Sequence, residues 1–385
     1  MVDWIRTNAI LRSSPPLPPF ECLTSDPVRE HALKESCSTI AHWGGASFTF
    51  FTNNLGFRDE RVRSVAAVSS RPRVLILGDS FTQGADTWER SYIGMLASRF
   101  PQYEFLNGGV SSYSPSNYLN VARMLLARGI RFDEVIVFID ISDVQDEAAF
   151  YHDADASGAV GRPEENGKQQ RGLEYTRFER WRDFVAQHLF LTNYLVDIVQ
   201  KNLVRLGYYH LTTGLLGDTF DLDRSAWTYR PVNETDGFYP QGTGYGPLGV
   251  QGGIAREEAK MTTLWQELSA RGIPINVVVY PWPAQIAHDT VDSRQVQIWR
   301  NWCQGKCKRF IPLFPAFFAA KNKCPWYAPG CWYPKYFIFG DVHYNIRGNA
   351  IVVDTVGGAL EAVPVSRVAS TRSADAEKRS AGRVP

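Results

Sequence analysis

The sequence lacks the marks by which several protein classes are recognised, and each absence narrows what it can be. No apolar run approaches the roughly 20 residues of a membrane-spanning helix, so no such span is expected within these residues. The opening stretch, MVDWIRTNAILRSSPPLPPF, has neither the basic start nor the apolar core of a secretory signal. Charge of one sign is missing too. With 41 Lys and Arg against 40 Asp and Glu, the net charge is +1, which gives no overall field for nucleic acid, anionic lipid or an acidic partner. There is no Gly-rich phosphate loop, no dinucleotide fingerprint, no histidine cluster at metal-ligand spacing and no internal repeat. No cofactor, no metal and no nucleic-acid partner is therefore expected. Hydrophobic residues at 44% and charged residues at 21% exclude wholesale disorder.

Aromatic residues are plentiful, with 11 Trp and 17 Tyr among 385 residues. They suit flat, partly apolar ligands such as sugars, although most such rings fill core. Six cysteines fall into three local pairs: Cys22 with Cys37, Cys303 with Cys307, and Cys324 with Cys331. Disulfides formed in an oxidising compartment are one reading. Zinc held by the last four is a second, although their C-x3-C and C-x6-C spacings fit such sites poorly. Unpaired buried thiols are the third. The first reading places the protein outside the cytoplasm, periplasmic or secreted.

SSPPLPP, residues 13–19, reads as a stiff extended linker, and the small, charged stretch from Ser366 reads as a disordered tail. Between them strands alternate with helices. Apolar runs at RVLILG (73–78), YEFLNGG (103–109), EVIVFIDI (134–141), INVVVYPW (275–282) and RFIPLFPAF (309–317) are expected strands. Helical patterns follow the first strand through about Ser98, run from Pro115 to Ala127, precede the fourth strand over AREEAKMTTLWQELSARG, and close the unit from about Asn345 to Leu360. This predicts a three-layer α/β/α unit with a mainly parallel five-stranded sheet. The expected division is an N-terminal extension (1–70), a core (71–144 and 256–364), an insertion after the third strand (145–255) and a tail (365–385). The insertion holds an amphipathic helix over 184–207 and a Gly-, Tyr- and Pro-rich stretch over 229–253, which read either as a lid or substrate wall or as a solvated loop with a packing helix.

In such sheets ligands bind beyond the carboxyl ends of the strands, so chemistry is expected there. Ser80 follows the first strand in Gly78-Asp79-Ser80 and begins a helix, whose amides and dipole favour an oxyanion. A plain helix cap by Ser80 or Asp79 explains the same residues. Thr82 stands where the second glycine of a Gly-x-Ser-x-Gly elbow would be. Of seven histidines, only His343 sits at a turn before a long helix, and Asp341 lies two residues upstream. In extended chain those two side chains project to one side, so Asp341 can orient His343 toward Ser80. Gly109 follows the second strand, and Ser142 with Asp143 ends the third. His288, past the fourth strand, and Trp227, Tyr239 and Tyr245 in the insertion are weaker candidates for substrate contact.

Together these residues resemble the SGNH, or GDSL-type, hydrolase superfamily. Gly78-Asp79-Ser80 matches its first block, Gly109 in LNGGVSSYS the oxyanion glycine of its second, and His343 with Asn345 and Gly348 its last. NNLGFRD (53–59) resembles a segment that often precedes the first block. The resemblance implies a flavodoxin-like sheet and acyl transfer through an acyl-serine, with Ser80, His343 and Asp341 catalytic and Ser80, Gly109 and Ser142 around the oxyanion. Two positions depart from the pattern. Ser142 stands where the third block has an asparagine donor, with Asn107 and Asn117 as other donors near that edge. The acid forms Asp-x-His rather than Asp-x-x-His, which resembles the branch containing alginate O-acetyltransferase-like proteins. Three functions follow as expectations: an O-acyl, chiefly acetyl, ester hydrolase acting on a carbohydrate or small ester; a polysaccharide O-acetyltransferase using the same residues; and a catalytically decayed carbohydrate-binding protein.

Overall fold

The computed structural model describes residues 21–43, 46–153, 159–161, 190–207, 220–230, 245–246 and 248–361. The expected linker, the tail, residues 184–189 of the predicted helix and Tyr239 lie outside them. Strands β1 (Leu23–Asp26) and β2 (Glu30–Leu33) form a hairpin. Next come β3 (Ser38–Trp43), β4 (Ala46–Thr52) and β5 (Arg58–Asp59). The expected core strands are β6 (Arg73–Leu77), β7 (Glu104–Asn107) and β8 (Glu134–Ile139), then, after the short pair β9 (His152–Asp153) and β10 (Val160–Gly161), β11 (Ile275–Val279) and β12 (Arg309–Pro312).

The main sheet runs β12-β11-β8-β6-β7-β5-β4-β3. Its five core strands are parallel, and in order of appearance they lie 2-1-3-4-5, the flavodoxin-like arrangement, with a switch point between β6 and β8. The five-strand expectation falls short by three. Residues 38–59 add β5, β4 and β3 antiparallel beyond β7, so the N-terminal extension is part of the sheet.

Helices cover both faces because adjacent residues of the strands point to opposite sides. Val74, Ile76, Ile136, Phe138 and Val278 face one core, against α2 (Tyr92–Arg99) and α12 (Ile346–Glu361). Leu75, Leu77, Val135, Val137, Val277 and Val279 face the other, against α3 (Pro115–Ala127), α7 (Gly249–Ser269) and α9 (Arg294–Trp302). The helix expected after β6 is broken in two. A four-residue α1 (Ser80–Gln83) ends at Gly84, whose φ of +89° belongs to glycine and where a Cβ would meet Arg58 Nη1 at 2.4 Å. The fifth expected strand stops at Pro312, because Phe314, Pro315 and Ala316 open helix α10 (Phe314–Lys321), with proline in its first turn.

Within 145–255, α4 (Ser142–Gln145) continues as a π-helical turn to Phe150, and α5 (Phe190–Arg205) and α6 (Phe220–Tyr229) follow. Helix α7 begins at Gly249, earlier than expected, so the end of the Gly-rich stretch is helical. Between β11 and α9 lies α8 (Pro283–His288), and α11 (Trp332–Tyr336) precedes the final loop. Disulfides join Cys22 to Cys37, Cys303 to Cys307 and Cys324 to Cys331.

Candidate active site

Strand β6 is buried at all five residues and hands over to α1 at the switch point. Gly78 is required by close packing, since a Cβ there would lie 2.0 Å from Thr82 Oγ1. Asp79 caps α1, its Oδ1 accepting from Phe81 N–H at 3.0 Å. The cap and the nucleophile candidate are thus separate residues. Ser80 is the first residue of α1, and its N–H has no acceptor among the described residues.

Ser80 Oγ lies 2.8 Å from His343 Nε2, and His343 Nδ1 lies 2.6 Å from Asp341 Oδ1. With Nδ1–H donating to the carboxylate, Nε2 presents its lone pair to the serine hydroxyl. The imidazole is held between Phe81, ring centroids 4.4 Å apart, and the edge of Trp43, 4.7 Å away. The loop carrying it is fixed at several points. Tyr333 Oη accepts from Gly340 N–H and donates to the Asp341 carbonyl, both at 3.0 Å. Asn345 Oδ1 accepts from Arg347 and Gly348 N–H at the start of α12. Burial alone would raise the Asp341 carboxyl, but the hydrogen bonds and charge of His343, with a bond from Trp43, bring it down to about 2.

Behind the serine sits a second acidic group of a different kind. Asp79 is pushed well above the usual carboxylate range by burial and by the charge of Asp140. Tyr280 Oη donates to Asp79 at 2.8 Å, and Trp282 Nε1 donates to Asp140 at 2.6 Å. Arg58 is buried, and among the described residues no carboxylate forms an ion pair with its guanidinium. Its Nη1 donates to the Gln83 and Gly84 carbonyls at 2.6 and 2.7 Å, and its Nη2 to the Asp86 carbonyl, beneath the end of α1. Burial lowers it to about 10. Phe48 and Phe50 of β4 lie under its charge.

The structure draws Ser80, His343 and Asp341 into one line and disposes the other candidates differently. Gly109 packs on α1, where a Cβ would meet Thr82 Cγ2 at 2.4 Å, but its N–H donates to Asn107 Oδ1 at 3.0 Å. Asn107 itself donates to the Thr82 carbonyl. The Ser142 hydroxyl donates to Asp140 Oδ1 at 2.7 Å, and a hydroxyl has one proton to give, so it is not poised as an oxyanion donor. Asn117 is buried and donates to the Arg29 carbonyl, holding the N-terminal hairpin instead of a ligand. Trp227 is 1% exposed and belongs to the core, which removes it as a sugar platform. Tyr245 is buried and donates to the Arg224 carbonyl. His288 ends α8 beside Tyr229 and lines a polar cleft of about 390 Å³ with Asp289 and Arg294, a cleft to which the serine and His343 do not contribute.

Trp43 and Arg58 were not found by sequence reasoning. NNLGFRD contains Arg58, but nothing in the spacing of Trp43 connects it to a loop 298 residues away.

Fold and geometry define a class: a doubly wound α/β protein with a serine–histidine–aspartate relay at the carboxyl edge of its sheet. No protein-family model matches the sequence, and neither does any curated protein. Solved structures do. A catalytic mutant of an acetylxylan esterase from Geobacillus stearothermophilus aligns over 76% of this chain and 94% of its own, at 11% identity and a TM-score of 0.38. A member of the lipolytic G-D-S-L family from Veillonella parvula aligns over 75% and 96%, at 10% identity and a TM-score of 0.38. A GDSL-like lipase from Bacteroides thetaiotaomicron aligns over 77% and 92%, at 11% identity and a TM-score of 0.37. These likenesses are distant, and the chemistry of this chain rests on its own geometry.

Proposed function

We propose that the protein is a serine-dependent O-acyl ester hydrolase of the SGNH type, acting outside the cytoplasm on acetyl esters of a carbohydrate or another small alcohol. The observation that carries this reading is the unbroken relay from Asp341 through His343 to Ser80. Three disulfides support the oxidising compartment, and the preference for acetyl groups on sugar rests on the Asp-x-His resemblance.

In this mechanism Ser80 Oγ attacks the ester carbonyl as its proton passes to His343 Nε2. Asp341 keeps Nδ1 protonated and stabilises the imidazolium. The tetrahedral oxyanion is met by the Ser80 N–H at the head of α1, with the Gly109 N–H joining once it is shared with or released by Asn107. Collapse breaks the bond to the alcohol, which leaves with the proton from Nε2. Water then attacks the acyl-serine, giving its proton to His343, and the acid departs as Ser80 recovers its own.

The same acyl-serine would serve an acetyltransferase if a sugar hydroxyl replaced water. Incubation with para-nitrophenyl acetate, with and without an acetyl-free oligosaccharide, separates the two. The hydrolase reading expects free acetate in both cases and a loss of roughly 10³-fold or more in Ser80→Ala. Acetylated oligosaccharide as the main product would make the protein a transferase. Turnover unchanged in Ser80→Ala would contradict both, and no turnover by the parent protein would favour a decayed binding protein.

A further inference from the structure

The acid of the relay has two oxygens, and only one faces the histidine. Asp341 Oδ1 takes the His343 Nδ1–H at 2.6 Å and the His343 backbone N–H at 3.1 Å. Oδ2 takes the Trp43 indole Nε1–H at 2.7 Å. An indole N–H can only donate, so this contact is matched to an ionised carboxylate and has one polarity. Trp43 comes from β3, at the edge of the sheet that the N-terminal extension supplies, and its ring edge also meets the imidazole at 4.7 Å.

The short Asp-x-His spacing explains why such a partner is needed. Asp341 lies on the same tight loop as His343, just after Gly340 at φ +80°, and its side chain is 24% exposed. A carboxylate on so short and open a tether can rotate toward water. A donor on the far oxygen leaves one orientation, with Oδ1 on Nδ1.

We infer that Trp43 is a positioning residue for the relay, a donor from the N-terminal strands that holds Asp341 against His343. The inference rests on the serine-hydrolase reading above and adds that the extension completes the site.

The test compares the parent with Trp43→Phe, which keeps the ring and loses the donor, and Trp43→His, which restores an N–H. Two readouts apply: kcat and KM for para-nitrophenyl acetate, and the rate at which a fluorophosphonate labels Ser80. Trp43→Phe is expected to lower kcat and the labelling rate roughly tenfold to a hundredfold, with KM and melting temperature little changed. Trp43→His is expected to recover part of the rate. A Trp43→Phe protein whose kcat and labelling rate stay within about twofold of the parent would overturn the inference. So would a loss that follows a lowered melting temperature and is not recovered by Trp43→His. A parent protein that neither labels at Ser80 nor turns over the ester would sink the hydrolase reading, a result distinguishable from either of these.

Discussion

Ser80 and His343 are separated by 263 residues in the chain and by 2.8 Å in space, and each stands at the end of an element that leaves it little freedom. Asp79 takes the capping task, which frees the serine for chemistry. Asp140 takes the Ser142 hydroxyl, which withdraws it. A direct consequence follows for Ser142→Ala. Because this hydroxyl is already committed, its removal should change kcat/KM by less than about threefold, whereas loss of a working oxyanion donor costs ~10²–10³-fold. Steady-state kinetics on an aryl acetate decides between them. At this scale Ser80, His343 and Asp341 were legible because strand-end position and short motifs mark them. Trp43 was not, because a contact between an edge strand and a distant loop leaves no trace in local spacing. The roles of Gly109 and Ser142 depend on which neighbour reaches their single hydrogen first, which no motif records.

The N-terminal strands matter at the scale of elements. Strand β5 inserts Arg58 beneath the end of α1, where it donates to three backbone carbonyls. Arg58→Met should lower the unfolding free energy by about 2–4 kcal/mol, since buried acceptors left without donors outweigh the gain from removing a buried charge. Urea unfolding measures it, and activity should fall as α1 loosens. Arg58→Lys should not restore the parent, because one ammonium cannot match the planar fork across three carbonyls. A parent-like midpoint in Arg58→Met would refute this account of α1. The helix Pro115–Ala127 was legible to the residue because proline marks its start and its apolar spacing is regular. The helix after β6 was not, because Gly84 divides a continuous pattern. ASFTFFT in β4 does alternate, with Phe48 and Phe50 buried, but its partners lie in other strands that composition alone marks as an extension.

For the whole molecule, the five parallel strands declared themselves as unbroken apolar runs, and their order placed the crevice at the switch point. What the sequence could not show is that acids converge behind that crevice. Asp79, Asp143 and Glu257 are each raised well above their ordinary range, by burial first and then by neighbouring acids, among which Asp140 acts on all three. The sign of the effect is definite. The folded protein retains protons that the unfolded chain releases near pH ~4, so this stability is present at low pH and is lost as pH rises through the raised folded values. Unfolding free energy should decline from mildly acidic toward alkaline pH, and Asp140→Asn should flatten the decline by removing the shared neighbour. A slope as steep in Asp140→Asn as in the parent would contradict this role for Asp140.

The central claim is that Ser80 is a nucleophile activated by His343, and covalent capture tests it most directly. Intact-mass and peptide mass spectrometry after brief exposure to a fluorophosphonate should find one adduct per chain, on Ser80, formed far more slowly in His343→Ala and absent in Ser80→Ala. An adduct on another residue, or none while the parent still turns over an acetyl ester, would contradict the claim.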